Sequence, residues 1–226
     1  MRERFVSETG AVLALGVLAL GVLGFAAIAD ETTEGETHVL DRAILLALRT
    51  PADTADPVGP PWFEVAVADI TSLGGYAVLT LLVVGVAAYL LAVGKRGAAG
   101  LVVVSVNSGA VLSEALKLGF ARPRPDLVAQ LAHATSSSFP SGHAMLSAIA
   151  YLTLGALLAR AHARRRVKLL VLFAAMTLTV LIGLSRIYLG VHWPTDVLAG
   201  WCVGAAWAAA CWLVVWFLQR RGAVRG

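Results

Sequence analysis

Three stretches of the chain bring together side chains able to move a phosphoryl group: Lys117 with Arg124-Pro125, then Pro140-Ser141-Gly142-His143, then Ser185-Arg186 followed by His192 and Asp196. Phosphoryl transfer relies on positioning and on neutralising the equatorial oxygens of the transition state. Lys117, Arg124 and Arg186 offer fixed positive charge for that purpose, the arginines as planar forks and the lysine as a point charge. Pro194, between His192 and Asp196, suits the first turn of a helix, where its missing N–H costs nothing. A carboxylate in that turn can accept a hydrogen bond from one imidazole nitrogen and leave the other free as a nucleophile. Pro140-Ser141-Gly142-His143 has the composition of a helix start. Backbone N–H groups there attract anions, Gly142 permits close approach, and Ser141 adds a hydroxyl donor. A protonated His143 could give its proton to a departing oxygen. Taken singly, this tetrapeptide is equally an ordinary helix start with an unengaged histidine, and its partners favour chemistry. A metal pair of His192 and Asp196 is the weaker reading, because no further carboxylates or cysteines cluster with them. Arg122 reads as a lipid-headgroup anchor.

The elements that must position these residues are those of a membrane protein. The 226 residues are 58% hydrophobic and 14% charged, with a mean hydropathy of +0.79; soluble domains carry about a quarter charged residues. Six apolar runs, 11–29, 67–93, 98–118, 144–159, 167–184 and 195–218, approach or exceed the roughly 20 residues that cross a bilayer. A soluble helical core would need polar faces that these runs mostly lack. The expected architecture is an all-α integral membrane bundle of six transmembrane helices, with residues 1–226 forming one domain. Residues 1–29 also have the marks of a secretory signal, a basic start and an apolar centre before Ala27-Ile28-Ala29. Their apolar stretch is long enough to span, which favours retention. Cys202 and Cys211 lie about two and a half helical turns apart, too far for a mutual disulfide, and read as packing residues.

The loop of residues 30–66 begins with Asp30, Glu31, Glu34, Glu36 and Asp41 and reads as a solvated acidic segment. It holds a short helical patch from Val39 to Leu48, and His38 there is an ordinary loop residue. Trp62 and Trp193 fall near outer boundaries and Trp216 near an inner one, as interfacial anchors would. The third run is unusual in carrying Ser105, Asn107, Ser108, Ser113, Glu114 and Lys117. Asn107 and Glu114 share a helix face, with Lys117 one turn beyond. Ionisable groups at such depth tend to face a bundle interior and a functional cavity. The alternative is a structural Glu114–Lys117 pair at the membrane edge.

Twelve of the 18 basic residues fall on one side: Arg2, Arg4, Lys95, Arg96, Arg160, Arg164, Arg165, Arg166, Lys168, Arg220, Arg221 and Arg225. The positive-inside rule assigns that side, with both termini, to the cytoplasm. Counting loops from an inner amino terminus then places all three chemical stretches on the extracytoplasmic face.

These residues resemble the three signatures of the type 2 phosphatidic acid phosphatase family: Lys-x6-Arg-Pro as Lys117, Arg124 and Pro125; Pro-Ser-Gly-His as residues 140–143; and Ser-Arg-x5-His-x3-Asp as Ser185, Arg186, His192 and Asp196. The motifs span 117–196, and the six-span layout extends the likeness over most of the chain. Arg122-Pro123 imitates Arg124-Pro125, so the register of the first signature is the assignment most in need of a structure. The resemblance implies a hydrolase with His192 as nucleophile oriented by Asp196, and His143 as the acid for the leaving oxygen. Lys117, Arg124, Ser141, Gly142 and Arg186 would hold the phosphate. It implies no metal or other cofactor. The implied partners are a lipid phosphate or diphosphate and the bilayer, with no nucleic acid, in what the Ala-, Val- and Arg-rich composition suggests is a bacterial cytoplasmic membrane. Similar bacterial enzymes act on undecaprenyl diphosphate, phosphatidylglycerophosphate, phosphatidate or diacylglycerol diphosphate. A lipid phosphotransferase using the same histidine is one alternative, and a non-enzymatic lipid-binding or transport protein another.

Overall fold

The computed structural model describes residues 8–34, 38–132 and 136–221. Within them lie α1 (Glu8–Glu34), α2 (His38–Ala47), β1 (Arg49–Thr50), β2 (Asp53–Pro57), α3 (Pro61–Ser72), α4 (Tyr76–Ala92), α5 (Arg96–Phe120), α6 (Gly142–Ala161), α7 (Arg165–Tyr188) and α8 (Pro194–Arg220). Arg2, Arg4, Glu36 and Arg225, which entered the charge argument, fall outside the described residues.

Five helices (α1, α5, α6, α7 and α8) are each long and apolar enough to cross a membrane. The second apolar run is not one straight helix. It is divided into α3 and α4, which meet at 49° and would make a sixth span only as a bent pair. The break falls at Leu73-Gly74-Gly75, and Gly74 is there for close approach: a β-carbon on it would collide with Ile182 of α7. The short antiparallel pair of β1 and β2, with Thr50 opposite Asp53, departs from a purely helical expectation. Asp53 closes that turn locally, its Oδ1 accepting the Ala55 N–H at 2.8 Å. The helical patch expected from Val39 is present as α2.

Burial is arranged as it must be in lipid. Leu169, Leu170, Phe173 and Met176 of α7 and Leu13 and Leu20 of α1 are exposed, while Ser105, Ser113, Ser147 and Thr153 are buried. Small residues let the inner helices touch, the usual basis of helix packing in membranes. A β-carbon on Gly200 would sit 2.7 Å from the Ser141 carbonyl oxygen, and one on Gly204 would sit 2.5 Å from that of Met145. α6 and α8 are thus in backbone contact just below the Pro-Ser-Gly-His motif. α1 covers the outside of α8, with Gly21 against Cys202 and Ala206, and both cysteines are free.

The up-and-down order puts the carboxyl ends of α5 and α7 beside the amino ends of α6 and α8. The Lys95-Arg96 turn, the Arg164–Lys168 turn and the end of α8 lie at the opposite end. There Arg220 pairs with Glu8 of α1 at 3.8 Å. On α5 the outcome is split: Lys117 is buried, but Asn107 and Glu114 are exposed rather than turned to the interior. Glu114 accepts the Tyr76 hydroxyl at 2.9 Å and lies 3.7 Å from Lys117, so both the structural pair and the inward lysine are found.

Candidate active site

The site forms where four helix ends meet Arg122, Arg124 and the stretch 136–141. α8 begins at Pro194, which occupies its first turn, so His192 stands just ahead of the helix and Asp196 in its opening turn. The Asp196 Oδ2 accepts the Trp193 backbone N–H at 2.9 Å; this is a capping-box contact that satisfies one of the helix's free donors and fixes the carboxylate. α6 begins at Gly142 with Ser141 as its cap, the serine hydroxyl facing the Ala144 N–H at 3.5 Å. The Ser141 N–H donates to the Asp196 carbonyl at 2.9 Å, which ties the two helix starts together.

His192 is 2% exposed and Asp196 fully buried. Nδ1 of His192 faces Asp196 Oδ2 at 3.4 Å, and Nε2 faces Arg124 Nη1 at 3.3 Å. An arginine donates and never accepts. Nε2 must therefore present its lone pair to Arg124, leaving the proton on Nδ1 beside Asp196. The 3.4 Å spacing is long for a hydrogen bond, as is common before a substrate completes such a site. Arg124 itself is anchored by carbonyls, through Nε to Ser136 at 2.8 Å and Nη1 to Val191 at 2.6 Å.

Burial pushes the His192 imidazole down to about 4; the hydrogen bond and charge of Asp196 oppose that shift, and the Arg124 and Arg186 charges add to it. His192 is therefore predominantly neutral, with its nucleophilic lone pair present, at neutral pH. In isotope-labelled histidine NMR of the detergent-solubilised protein, the His192 ring should remain the neutral Nδ1–H tautomer at pH 6. It should take up its second proton only near pH 4. A midpoint at or above the ordinary value of about 6.5 would contradict this description of the pocket.

The cations converge on the same place. Lys117 donates to Ser136 Oγ at 2.9 Å, and a β-carbon on Gly142 would lie 3.3 Å from its Nζ. Arg186 is buried and donates through Nη1 to Thr71 Oγ1 at 3.1 Å, while its Nε has no partner among the described residues. The half-buried His143 lies within electrostatic reach of Arg186, His192, Lys117 and Arg124, with the Gly74-Gly75 break beside its ring. All eight residues expected to form the site (Lys117, Arg124, Ser141, Gly142, His143, Arg186, His192 and Asp196) are gathered at one end of the bundle. Two buried donors there, Arg186 Nε and Ser113 Oγ, are unsatisfied among the described residues. Such groups call for an explanation, and an anion with several oxygens would satisfy both.

Three expectations are corrected. Arg122 is not a headgroup anchor: it is buried and its two Nη atoms bind Asp196 Oδ1 at 2.6 Å and Asp41 Oδ2 at 2.8 Å. Asp41 is not part of a solvated acidic segment but is fully buried. Trp193 is not an interfacial anchor: it is buried, donates to the Pro123 carbonyl at 3.1 Å and stacks under Arg122. Trp62, by contrast, is exposed, as an interfacial residue would be. Sequence reasoning also missed Ser138, whose hydroxyl donates to Asp196 Oδ2 at 2.5 Å. Its only local signal was the run Ser136-Ser137-Ser138 ahead of Phe139-Pro140.

Known proteins carry the same frame. The chain is 36% identical over 146 residues to phosphatidylglycerophosphatase B of Bacillus subtilis, covering 64% of this chain and 71% of that one. It is 38% identical over 71 residues to an undecaprenyl-diphosphatase of Sulfolobus acidocaldarius, covering 31% and 30%. The crystal structure of a transmembrane PAP2-type phosphatidylglycerolphosphate phosphatase from Bacillus subtilis superposes with a TM-score of 0.72 at 28% identity, over 92% of this chain and 96% of that chain. That of Aquifex aeolicus LpxE superposes at 0.54 with 25% identity, over 70% and 87%. The PAP2 superfamily model matches residues 98–220, the span that contains every signature residue, and this multi-pass membrane protein belongs to the PAP2 superfamily.

Proposed function

We propose that the protein is a lipid phosphatase that hydrolyses a lipid phosphate or diphosphate at the extracytoplasmic membrane face through a phosphohistidine on His192. The observation that carries this reading is the orientation of His192, with Nδ1 toward Asp196 and Nε2 toward a guanidinium. The Nε2 lone pair attacks phosphorus and the bond to the lipid oxygen breaks, with His143, protonated once the bound phosphate's negative charge offsets the neighbouring cations, giving that oxygen its proton. His143, now neutral, takes a proton from water as the water oxygen displaces Nε2, and inorganic phosphate leaves. Lys117, Arg124, Arg186, the Ser141 hydroxyl and the Gly142 N–H hold the phosphoryl oxygens. These three cations supply the charge that a metal ion provides in other phosphatases, so the reaction is expected to run without one.

The α3–α4 pair serves as the sixth span in this reading, and both termini are cytoplasmic. Support comes from the basic turns at Lys95-Arg96 and Arg164–Lys168 and from Arg220 and Arg221, all at the end away from the site. The names of the two relatives, phosphatidylglycerophosphatase B and undecaprenyl-diphosphatase, make phosphatidylglycerophosphate and undecaprenyl diphosphate the first substrates to test, followed by phosphatidate and diacylglycerol diphosphate. Purified protein in detergent should release phosphate from at least one of the four, with the His192→Ala variant as control. A phosphorylated lipid acceptor in place of free phosphate would establish the transferase alternative. No release from any of them would favour a binding or transport role.

A further inference from the structure

α2 contributes nothing to the signature motifs, yet it sends one buried carboxylate to the start of α8. Both oxygens of the buried Asp41 are engaged. Oδ1 accepts the Thr195 backbone N–H at 3.0 Å, and Oδ2 accepts the Thr195 hydroxyl at 2.6 Å and Arg122 Nη2 at 2.8 Å. Arg122 extends the chain of contacts, its Nη1 donating to Thr195 Oγ1 at 2.9 Å and to Asp196 Oδ1 at 2.6 Å. Asp41 therefore holds the residue before Asp196 and also the cation on its outer oxygen. The inner oxygen, Oδ2, is the one that faces His192.

α2 also has an apolar anchor separate from this polar link. Leu45, one turn beyond Asp41, is fully buried and packs in an apolar cluster with Val128, Ala144, Ile187, Trp193 and Val197. What the polar link adds is a charge balance. One guanidinium is shared between two carboxylates, so Asp196 is oriented by Arg122 without being neutralised by it. In a buried network each such hydrogen bond is strengthened by the low dielectric and by its neighbours.

We propose that Asp41 is a positioning residue for the nucleophile, acting through Arg122 and Thr195 to fix the rotation and charge of Asp196 and so the aim of His192 Nε2. The inference rests on the reading of His192 as the nucleophile. Asp41→Asn keeps the shape of the side chain and removes its charge. In the full-length protein assayed on a lipid phosphate it should lower kcat by about tenfold, with KM held within about twofold. On an Asp196→Asn background, the same change should cost little further, because both act through one carboxylate. A role confined to holding α2 in place would leave the two losses independent and multiplicative.

Wild-type kcat in Asp41→Asn, or a loss that multiplies in full with that of Asp196→Asn, would overturn the inference. If Asp41→Asn does not fold, Thr195→Val decides. It keeps the Asp41–Arg122 pair and removes only the hydroxyl link, and it should reduce kcat several-fold at unchanged KM; wild-type kcat would overturn the inference. Wild-type protein and His192→Ala measured alongside separate the two levels. An inactive wild type, or a fully active His192→Ala, ends the parent reading and the inference with it. A silent Asp41→Asn beside an active wild type and an inactive His192→Ala ends the inference alone.

Discussion

Replacing His192 with alanine should lower phosphate release from a lipid phosphate by on the order of ten-thousand-fold or more, with the variant still folded and still binding its substrate. The site concentrates charge that should hold phosphate without His192: Lys117, Arg124 and Arg186 come from three separate segments, and each has an anchor other than the imidazole. Arg124 is held by the Ser136 and Val191 carbonyls, Arg186 by Thr71 and Lys117 by Ser136. Loss of the ring removes the attacking atom and leaves the anion pocket, so the deficit should appear in kcat. Titration of the variant with a phosphate mimic should show affinity within about tenfold of wild type, the range expected when a binding cluster loses one neutral neighbour. A variant retaining more than about one hundredth of wild-type turnover would show that His192 assists rather than attacks.

The second large effect is on stability. Arg122→Ala should destabilise the protein by about 3–5 kcal/mol, the usual cost of leaving buried charge without its partner. Asp41 and Asp196 are both fully buried and share this one guanidinium, so the substitution strands two carboxylates. The adjacent Arg124→Ala should behave in the opposite way. Arg124 is half-buried and bonds mainly to backbone carbonyls, and its removal should leave the melting temperature in detergent nearly unchanged. It should cost turnover by about a hundredfold or more, as loss of a transition-state donor does. Melting curves and turnover for the two variants test the assignment of the Arg-Pro repeat. Stability lost at Arg124 and activity alone lost at Arg122 would reverse it.

That repeat shows where the sequence is informative and where it stops. Arg122 and Arg124 each precede a proline, which favours extended backbone, and a three-residue turn sends side chains two apart to different sides. Their separation into a structural and a site arginine depends on what lies on each side. One partner, Asp41, is 81 residues away, and no local periodicity encodes such a contact. His192 and Asp196 were legible for the opposite reason: their spacing, with Pro194 between them, describes a helix start by itself, and α8 begins there. Ser141 and Gly142 were legible in the same way at the start of α6. The bend at Gly74-Gly75 was not, because an apolar run reads alike whether straight or broken, and the reason for the glycine lies on α7. Asp41 looked like one more acid in an acidic loop, since burial of a single carboxylate leaves no trace in composition.

The stereochemical course at phosphorus tests the central claim most directly. With a lipid thiophosphate made chiral by oxygen isotopes and hydrolysed in isotopically distinct water, attack by His192 followed by attack by water inverts the centre twice. The account predicts net retention of configuration in the released thiophosphate. Net inversion would mean that water attacks the lipid phosphate in a single step, and that His192 never carries the phosphoryl group.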